Sequence, residues 1–358
     1  MHEGIKAEIL GEISDLLDTG AFTNGPAVEE FEHAFAAYCG TPWCVGLGSG
    51  LDALRLGLLA ADLEQGDEVV VPAQTFVATL EAVTQAGGVP VVADISESDY
   101  GLDPKAAEVA IGPKTRALLP VHLYGQMADC DQLADVADRN RLLLLEDACQ
   151  AHGAERDGRR AGAVGRAAAF SFYPGKNLGA MGDAGALVTT DAALAENVRA
   201  LREHGQRAKY VHDSIGFTAR LDTVQALFLL RKLAHLDRWN EERRRAAAVY
   251  SALLDGVGDL HLPPTAPGSV PSWHLYVVRT KRPEELADFL RARGIGTGRH
   301  YPVPVHLSVA YQHLGHRRGD FPVAEALADE GLSLPMFPGI TEEQLGTVAS
   351  GIAEFFRG

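Results

Sequence analysis

Two rhythms of apolar residues alternate along most of this chain. Near its start Ile5, Ile9, Ile13, Leu16 and Leu17 recur at helical spacing, so 1–18 predicts an amphipathic helix. A loop over 19–25 follows. Pro26 opens a second helix, where its missing N–H costs nothing, and Val28, Phe31, Phe35 and Tyr38 line one side of it. From Trp43 onward short strand-like runs alternate with helical ones. Strands are predicted over 43–47, 68–71, 89–93, 116–120, 142–146, 167–172 and 186–189. Helices are predicted over 51–61, 75–86, 104–110, 131–140 and 192–204. This alternation predicts an α/β protein with a largely parallel sheet covered on both faces. Ligands of such sheets sit at the carboxyl ends of the strands. Residues 221–253 read as one long helix, with Val224, Leu227, Phe228, Leu229, Leu233 and Leu236 apolar. A proline- and glycine-rich stretch over 256–272 precedes a strand over 273–279, helices over 284–293, 323–330 and 342–356, and an irregular segment around 300–306. The pattern divides into a large α/β domain over 1–245 and a smaller α+β domain over 246–358, the latter of ordinary domain size.

Composition narrows the partners. A chain of 358 residues is too long for one small core, which agrees with two domains. Its net charge of −16 argues against non-specific nucleic-acid or anionic-membrane binding, both of which need a positive field. Cys39, Cys44, Cys130 and Cys149 form no Cys-x-x-Cys pair and read as reduced thiols of a cytoplasmic protein. The opening residues lack a signal-peptide pattern, and no apolar run reaches the ~18 residues of a membrane span. His300, His306, His313 and His316 lack acidic or Cys partners at ligand spacing, so no metal is expected.

Candidate chemistry centres on 170–186, where one lysine, Lys176, is followed by small residues at 179, 180, 182, 184, 185 and 186. Glycines let backbone pass close to a bulky ligand. The lysine is either a phosphate-binding point charge or an amine held for covalent work. A Walker loop fails, because Phe170 stands at its first Gly position and Asn177 at its final Ser/Thr position. A dinucleotide fingerprint matches at Gly46 and Gly48 but has Leu51 at the third glycine. Gly48-Ser49-Gly50, between a strand and a helix, suits a single phosphate group, or is an ordinary tight turn. Asp147 follows the leucine-rich strand 142–145. A carboxylate there is costly unless it meets a cation or a strong donor, so it caps a helix, joins an ion pair or holds a protonated ligand. Taken with Lys176 and the phosphate turn, the sharper reading is a pyridoxal phosphate (PLP) site. Asp147 would keep the pyridine nitrogen protonated so that the ring acts as an electron sink, and Lys176 would form the Schiff base. Phe76 either stacks on that ring or belongs to the core.

Six segments, in order, carry a resemblance over nearly the whole chain. They are Pro72-Ala73-Gln74-Thr75-Phe76-Val77-Ala78-Thr79, Pro120-Val121-His122-Leu123-Tyr124-Gly125-Gln126, Glu146-Asp147-Ala148-Cys149-Gln150-Ala151-His152-Gly153, the Lys176 stretch, Ala219-Arg220-Leu221-Asp222-Thr223-Val224-Gln225-Ala226, and His300-Tyr301-Pro302-Val303-Pro304-Val305-His306-Leu307. The chain resembles the nucleotide-sugar aminotransferases of the DegT/StrS group, PLP enzymes of fold type I. The resemblance implies a mostly parallel central sheet sandwiched by helices, with a smaller C-terminal α+β domain. It implies that Lys176 carries the cofactor, Asp147 pairs with the pyridinium, Gln150 reaches the ring hydroxyl and Phe76 stacks on the ring. Ser49, Gly50, Leu51 and Ser171 would bind the phosphate. Thr218 stands where relatives usually supply an Asn from the partner subunit, so a homodimer with shared active sites is implied. Gly182-Asp183-Ala184-Gly185 departs from the usual Gly-Asp-Gly-Gly. Two half-reactions follow, from glutamate to the cofactor and from pyridoxamine phosphate to a nucleotide-linked keto-deoxysugar. Candidate sugar-nucleotide contacts are Tyr124, Arg207, Lys209, Arg220, His300, Tyr301 and His306; the cations suit a diphosphate. Tyr173 and Asn177 beside the lysine look like members that aminate C-3. C-4 amination and aminocyclitol transamination are the alternatives within the family. A catalytically silent regulatory protein is the alternative of another class, against which Lys176 itself argues.

Overall fold

The computed structural model describes residues 4–358, so the first three residues of the predicted opening helix lie outside the described residues. Helix α1 (Lys6–Thr19) ends where Gly20 turns left-handed, φ 68°, and returns its N–H to the Leu16 carbonyl. Helix α2 (Pro26–Cys39) ends the same way at Gly40. Then follow β1 (Trp43–Leu47), α3 (Gly50–Ala60), β2 (Glu68–Pro72), α4 (Ala78–Gln85), β3 (Val89–Ala93), α5 (Pro104–Ala110), β4 (Thr115–Leu118), α6 (Cys130–Asn140) and β5 (Leu143–Asp147). A small hairpin, β6 (Glu155–Arg156) and β7 (Arg159–Arg160), precedes β8 (Ala167–Ser171), β9 (Gly185–Thr189) and α7 (Ala192–Arg202).

The seven-stranded sheet has the order β1-β9-β8-β5-β4-β2-β3. The run β8-β5-β4-β2-β3 is parallel throughout. Strand β9 runs antiparallel to both β8 and β1. The reason is local: loop 172–184 holds no crossover helix, so the chain turns straight back. That return is what hangs Lys176 over the carboxyl edge of the sheet. Alternate residues face opposite sides, as strand geometry requires. Val69, Val71, Ala167 and Ala169 pack under α3, α4 and α7. Ala168 and Phe170 face α2, while Val70 faces α5 and α6.

Beyond the sheet lie a second hairpin, β10 (Gln206–Ala208) and β11 (Val211–His212), then α8 (Thr223–Leu233) and α9 (Leu236–Leu254). The single long helix expected over 221–253 is therefore two. Residues on α8, such as Ala226 and Leu229, bury against the α2 side of the sheet. From Ala246 onward α9 buries Ala247, Tyr250 and Leu254 in a different cluster. No glycine or proline marks the break at 234–235; Leu236 still packs in the cluster of α8, and the change of partner comes further along α9, at Ala246. The remaining elements are β12 (Ser269–Val270), which adds to the β6–β7 hairpin, β13 (Tyr276–Arg279), α10 (Pro283–Arg291), α11 (Pro322–Glu330), β14 (Gly331–Leu334) and α12 (Glu342–Arg357). Antiparallel β13 and β14 share an apolar cluster with α9, α10 and α12. The reading of 75–86 as helix also needs correction. Residues 75–77 stay outside α4, because Gln74 is held by the Tyr301 carbonyl at 3.0 Å and the chain turns there. No helix among the described residues is long and apolar enough to cross a membrane.

Candidate active site

Lysine 176 sits in the return loop between β8 and β9, and burial pushes its amine below the ordinary lysine range. The Asp147 carboxylate opposes that shift without reversing it. Among the described residues its side chain makes no hydrogen bond, so the amine is uncommitted. Three backbone bonds shape the loop: Lys176 N–H to the Tyr173 carbonyl (2.8 Å), Ala180 N–H to Phe172 and Phe172 N–H to Ala184 (both 2.7 Å). The buried Lys232 of α8 donates to the Gly179 carbonyl at 2.5 Å.

Asp147 ends β5 and is 5% exposed. Its Oδ2 accepts from the Thr79 hydroxyl at 2.8 Å and its Oδ1 from the Cys149 N–H at 3.2 Å. Among the described residues no salt bridge reaches it. A buried carboxylate held by neutral donors has an unmet need for a cation. Lys176 feels its charge, but its own burial disfavours the ammonium form there. This is the feature that fits PLP, whose pyridinium would supply the missing charge.

The phosphate turn also fits. Ser49 caps α3, accepting the Asp52 N–H at 3.0 Å, and its hydroxyl also meets the Asp52 carboxylate at 3.1 Å. That hydroxyl is already engaged, and the first N–H groups of α3, on Gly50 and Leu51, have no acceptor within the helix. Asp52 is neutralised by Arg55 at 2.5 Å. A side chain on Gly50 would meet Cys149 Sγ and Ser171 Cβ at 2.7 Å, and one on Gly185 would meet the Gly50 N at 2.6 Å. The turn, Ser171 and the start of β9 therefore close on one another with room only for hydrogens.

Phe76 is 52% exposed, so it is not a core residue; its ring lies 5.4 Å from that of Tyr301. Gln150 is held on both sides: its Oε1 accepts the Tyr124 N–H at 2.8 Å and its Nε2 donates to the Tyr301 hydroxyl at 3.1 Å. The Tyr124 hydroxyl donates to the His300 carbonyl, and burial pushes the Tyr301 phenol up to about 12. Phe76, Tyr124, Asp147, Gln150, His300, Tyr301 and Lys176 thus gather at one sheet edge.

Other predicted residues lie elsewhere. His306 is 1% exposed and bonded to Glu325 at 3.1 Å against Phe321, so its place among substrate contacts is corrected: its imidazole is sealed into the C-terminal packing. Arg220 pairs with Glu203 at 2.7 Å. The Thr218 hydroxyl meets His204 at 3.2 Å, while Arg207 bonds Asn197 at 2.8 Å. Lys209 lies by Tyr210, its amine 5.3 Å from that ring. Within one chain these four stand apart from the lysine loop.

The sequence reading gave Thr79, His274 and Asn240 no role, and it read Asn177 only as a mark of regiochemistry. Asn177 is 1% exposed and joins three segments. Its amide donates to Asn240 Oδ1 at 2.9 Å and to the Ser272 carbonyl at 2.8 Å, and its oxygen meets His274 Nδ1 at 3.2 Å. Any link between Asn177 and regiochemistry therefore runs through the loop's position, since the amide is spent inside the protein. Tyr173, 58% exposed, remains free at the surface of the site. His152 packs at a tilt against Phe170 and Phe172, and burial, then the nearby Lys176 charge, push it down to about 3, so it stays neutral. His122, Cys130 and Glu146 cluster in a buried position suggestive of a metal. Glu146 is already saturated there, by His122 at 2.8 Å and by the N–H groups of Gly162, Val164 and Gly165.

The profile of the DegT/DnrJ/EryC1/StrS aminotransferase family matches residues 3–353. A dTDP-3-amino-3,4,6-trideoxy-alpha-D-glucose transaminase from Streptomyces venezuelae is 49% identical over 354 residues, 99% of this chain and 93% of that protein. The erythromycin biosynthesis sensory transduction protein EryC1 of Saccharopolyspora erythraea is 52% identical over 92% of this chain and 90% of its own. The crystal structure of S. venezuelae DesV in complex with a ketimine intermediate superposes with a TM-score of 0.97, at 49% identity, over 100% of this chain and 96% of that one.

Proposed function

The chain belongs to the DegT/DnrJ/EryC1/StrS aminotransferase family, and from that premise we propose that it transfers the amino group of glutamate to C-3 of a nucleotide-linked 3-keto-6-deoxysugar. It is a PLP-dependent sugar aminotransferase. The nucleotide of the sugar is dTDP in this proposal, as in the name of the S. venezuelae transaminase. The observation that carries it is the buried Asp147 carboxylate, without a protein cation, beside the uncommitted, depressed amine of Lys176.

When bound, PLP supplies an electron sink for negative charge developing on the reacting carbon. The protein's part is to hold groups and move protons. Asp147 holds the proton on the ring nitrogen through its remaining lone pairs. Lys176 Nζ, held below the ordinary lysine range by burial, would take the proton from the donor carbon and pass it to the cofactor, and in the second half-reaction would carry a proton back from the cofactor to the acceptor carbon. Phe76, exposed beside Tyr301, would stack on the ring. The N–H groups of Gly50 and Leu51, with Ser171, hold the phosphate. Gln150, held between Tyr124 and Tyr301, turns its amide toward the ring hydroxyl. Tyr124, His300 and Tyr301 line the acceptor side. Across a homodimer interface, Thr218 of one protomer would reach the cofactor phosphate in the site of its partner, and the cations Arg207, Lys209 and Arg220 suit the diphosphate of the substrate. Support for that assembly comes from the apolar residues left in water: Ile215 is 91% exposed and Tyr210 80%. We place the enzyme in the cytoplasm, where its four free thiols stay reduced.

The test offers 3-keto and 4-keto dTDP-sugars with glutamate and locates the new amine by NMR. Nitrogen at C-3 is expected; nitrogen at C-4, or on an aminocyclitol alone, would replace this reading. One relative, EryC1, is described as a sensory transduction protein, which favours a second reading as a silent regulator. The purified protein is expected to be yellow and to bleach with glutamate, and a colour unmoved by glutamate would support the regulator.

A further inference from the structure

The Asp147 carboxylate is positioned by something other than the groups that touch the cofactor or substrate. Its Oδ2 takes a hydrogen bond from Thr79 Oγ1 at 2.8 Å, and Thr79 Oγ1 lies 2.8 Å from Thr75 Oγ1. All three side chains are buried, with Thr79 1% and Thr75 2% exposed. Since Thr79 spends its only proton on the carboxylate, the proton between the two threonines must come from Thr75. The result is a directed chain of two hydroxyls ending on Asp147, each bond polarising the next. The opposite oxygen, Oδ1, is fixed by the Cys149 N–H. Both oxygens are thereby held, and the acid cannot rotate without breaking a buried bond. The chain also has a fixed base. Thr75 lies in the turn before α4, where Ala73 accepts the Val305 N–H at 3.1 Å and Gln74 donates to Tyr301.

We propose that Thr79, backed by Thr75, is a positioning residue for the transamination, setting the orientation of Asp147 toward the cofactor nitrogen. The proposal rests on the reading of Asp147 given above. A threonine serving only as core filler would be replaceable by its apolar isostere, because valine keeps the volume and the branched Cβ. A threonine acting through its hydroxyl would be replaceable by serine.

The experiment compares Thr79→Val, Thr79→Ser, Thr75→Val and Asp147→Asn as holoenzymes, and also measures PLP dissociation constants by absorbance and melting temperatures of the cofactor-free proteins. For Thr79→Val we expect kcat to fall ~10–100-fold, the worth of one hydrogen bond to a charged group, and PLP to bind about tenfold more weakly. The KM for the keto sugar should stay within ~2-fold. Thr79→Ser should recover kcat to within a few-fold, and Thr75→Val should give a smaller loss of the same kind. A valine variant with unchanged kcat and PLP affinity overturns the proposal, as does a serine variant no better than valine at a matched melting temperature. Asp147→Asn separates the two failures. If it too is fully active, the assignment of Asp147 itself is wrong; if it is inactive while Thr79→Val is normal, only the hydroxyl chain is.

Discussion

Single atoms decide whether the site can form. At Gly50 a methyl group would enter the space filled by Cys149 Sγ and Ser171 Cβ, both 2.7 Å from where it would lie. Helix propensity alone would favour alanine there by about 1 kcal/mol. Overpacking of a closed site costs ~1–3 kcal/mol, so the steric effect wins. Gly50→Ala should lower the melting temperature of the cofactor-free protein and weaken PLP binding, both read in one thermal and absorbance titration. Unchanged PLP affinity would mean that the phosphate is held elsewhere. How far such residues could be read from sequence depends on what their role requires. Lys176 and Asp147 were legible because an isolated lysine among glycines and an acid ending an apolar strand each conflict with ordinary core chemistry. Thr79 and Asn177 conflict with nothing in one dimension. Their roles depend on contacts with residues 63 and more positions away, which only the fold brings near.

Element boundaries follow the same logic. The strands of the seven-stranded sheet, β9 among them, were legible from their apolar runs, whereas the short β6, β7, β10, β11, β12 and β14 were not expected. That it runs against its neighbours follows from a loop with no helix in it. The break between α8 and α9 was hidden because helix-favouring residues continue through it. Just before that break lies Lys232, 2% exposed, with Phe228 and Trp239 beside its amine and the Gly179 carbonyl as its acceptor. Burial pushes this lysine down from 10.5 to about 8. Below pH 8 the amine is charged in the folded and unfolded chain alike, and the burial penalty is present in full. Between pH 8 and 10.5 the unfolded chain binds a proton that the folded chain does not. This group's contribution to stability therefore rises with pH across that window. Lys232→Met should thus be more stable than the parent at pH 7, by of order 1–3 kcal/mol, with the gap closing toward pH 10.5. Urea unfolding at both pH values measures it. A variant less stable at pH 7 would show that the bond to Gly179 outweighs the desolvation of the amine. With its anchor gone, the lysine loop should also bind PLP more weakly.

At the scale of the molecule, the exposed apolar residues on and after the β10–β11 hairpin make a prediction about mass. Light scattering should give twice the 38.2 kDa of one chain. Ile215→Glu should shift the protein toward monomer and lower its specific activity on dilution, as expected of a site built from two protomers. An equally active monomer would end that reading. We propose that the chain divides into two domains near residue 245, where the C-terminal apolar cluster begins at Ala246. The division is not a clean cut, because Val305, Tyr311, Phe321 and Leu327 pack into the cluster that also holds α3 and α4. Helix α9 crosses it as well, with Asn240 bonded to the lysine loop and Tyr250 and Leu254 in the C-terminal cluster. That continuity bears on how such proteins can diversify. A C-terminal half exchanged by recombination between relatives would bring its own register of α9 and rotate Asn240 away from the loop that carries the lysine. Hybrids joined within this helix should therefore fold more readily than they turn over. New acceptors are better reached by small changes around the cleft than by trading modules.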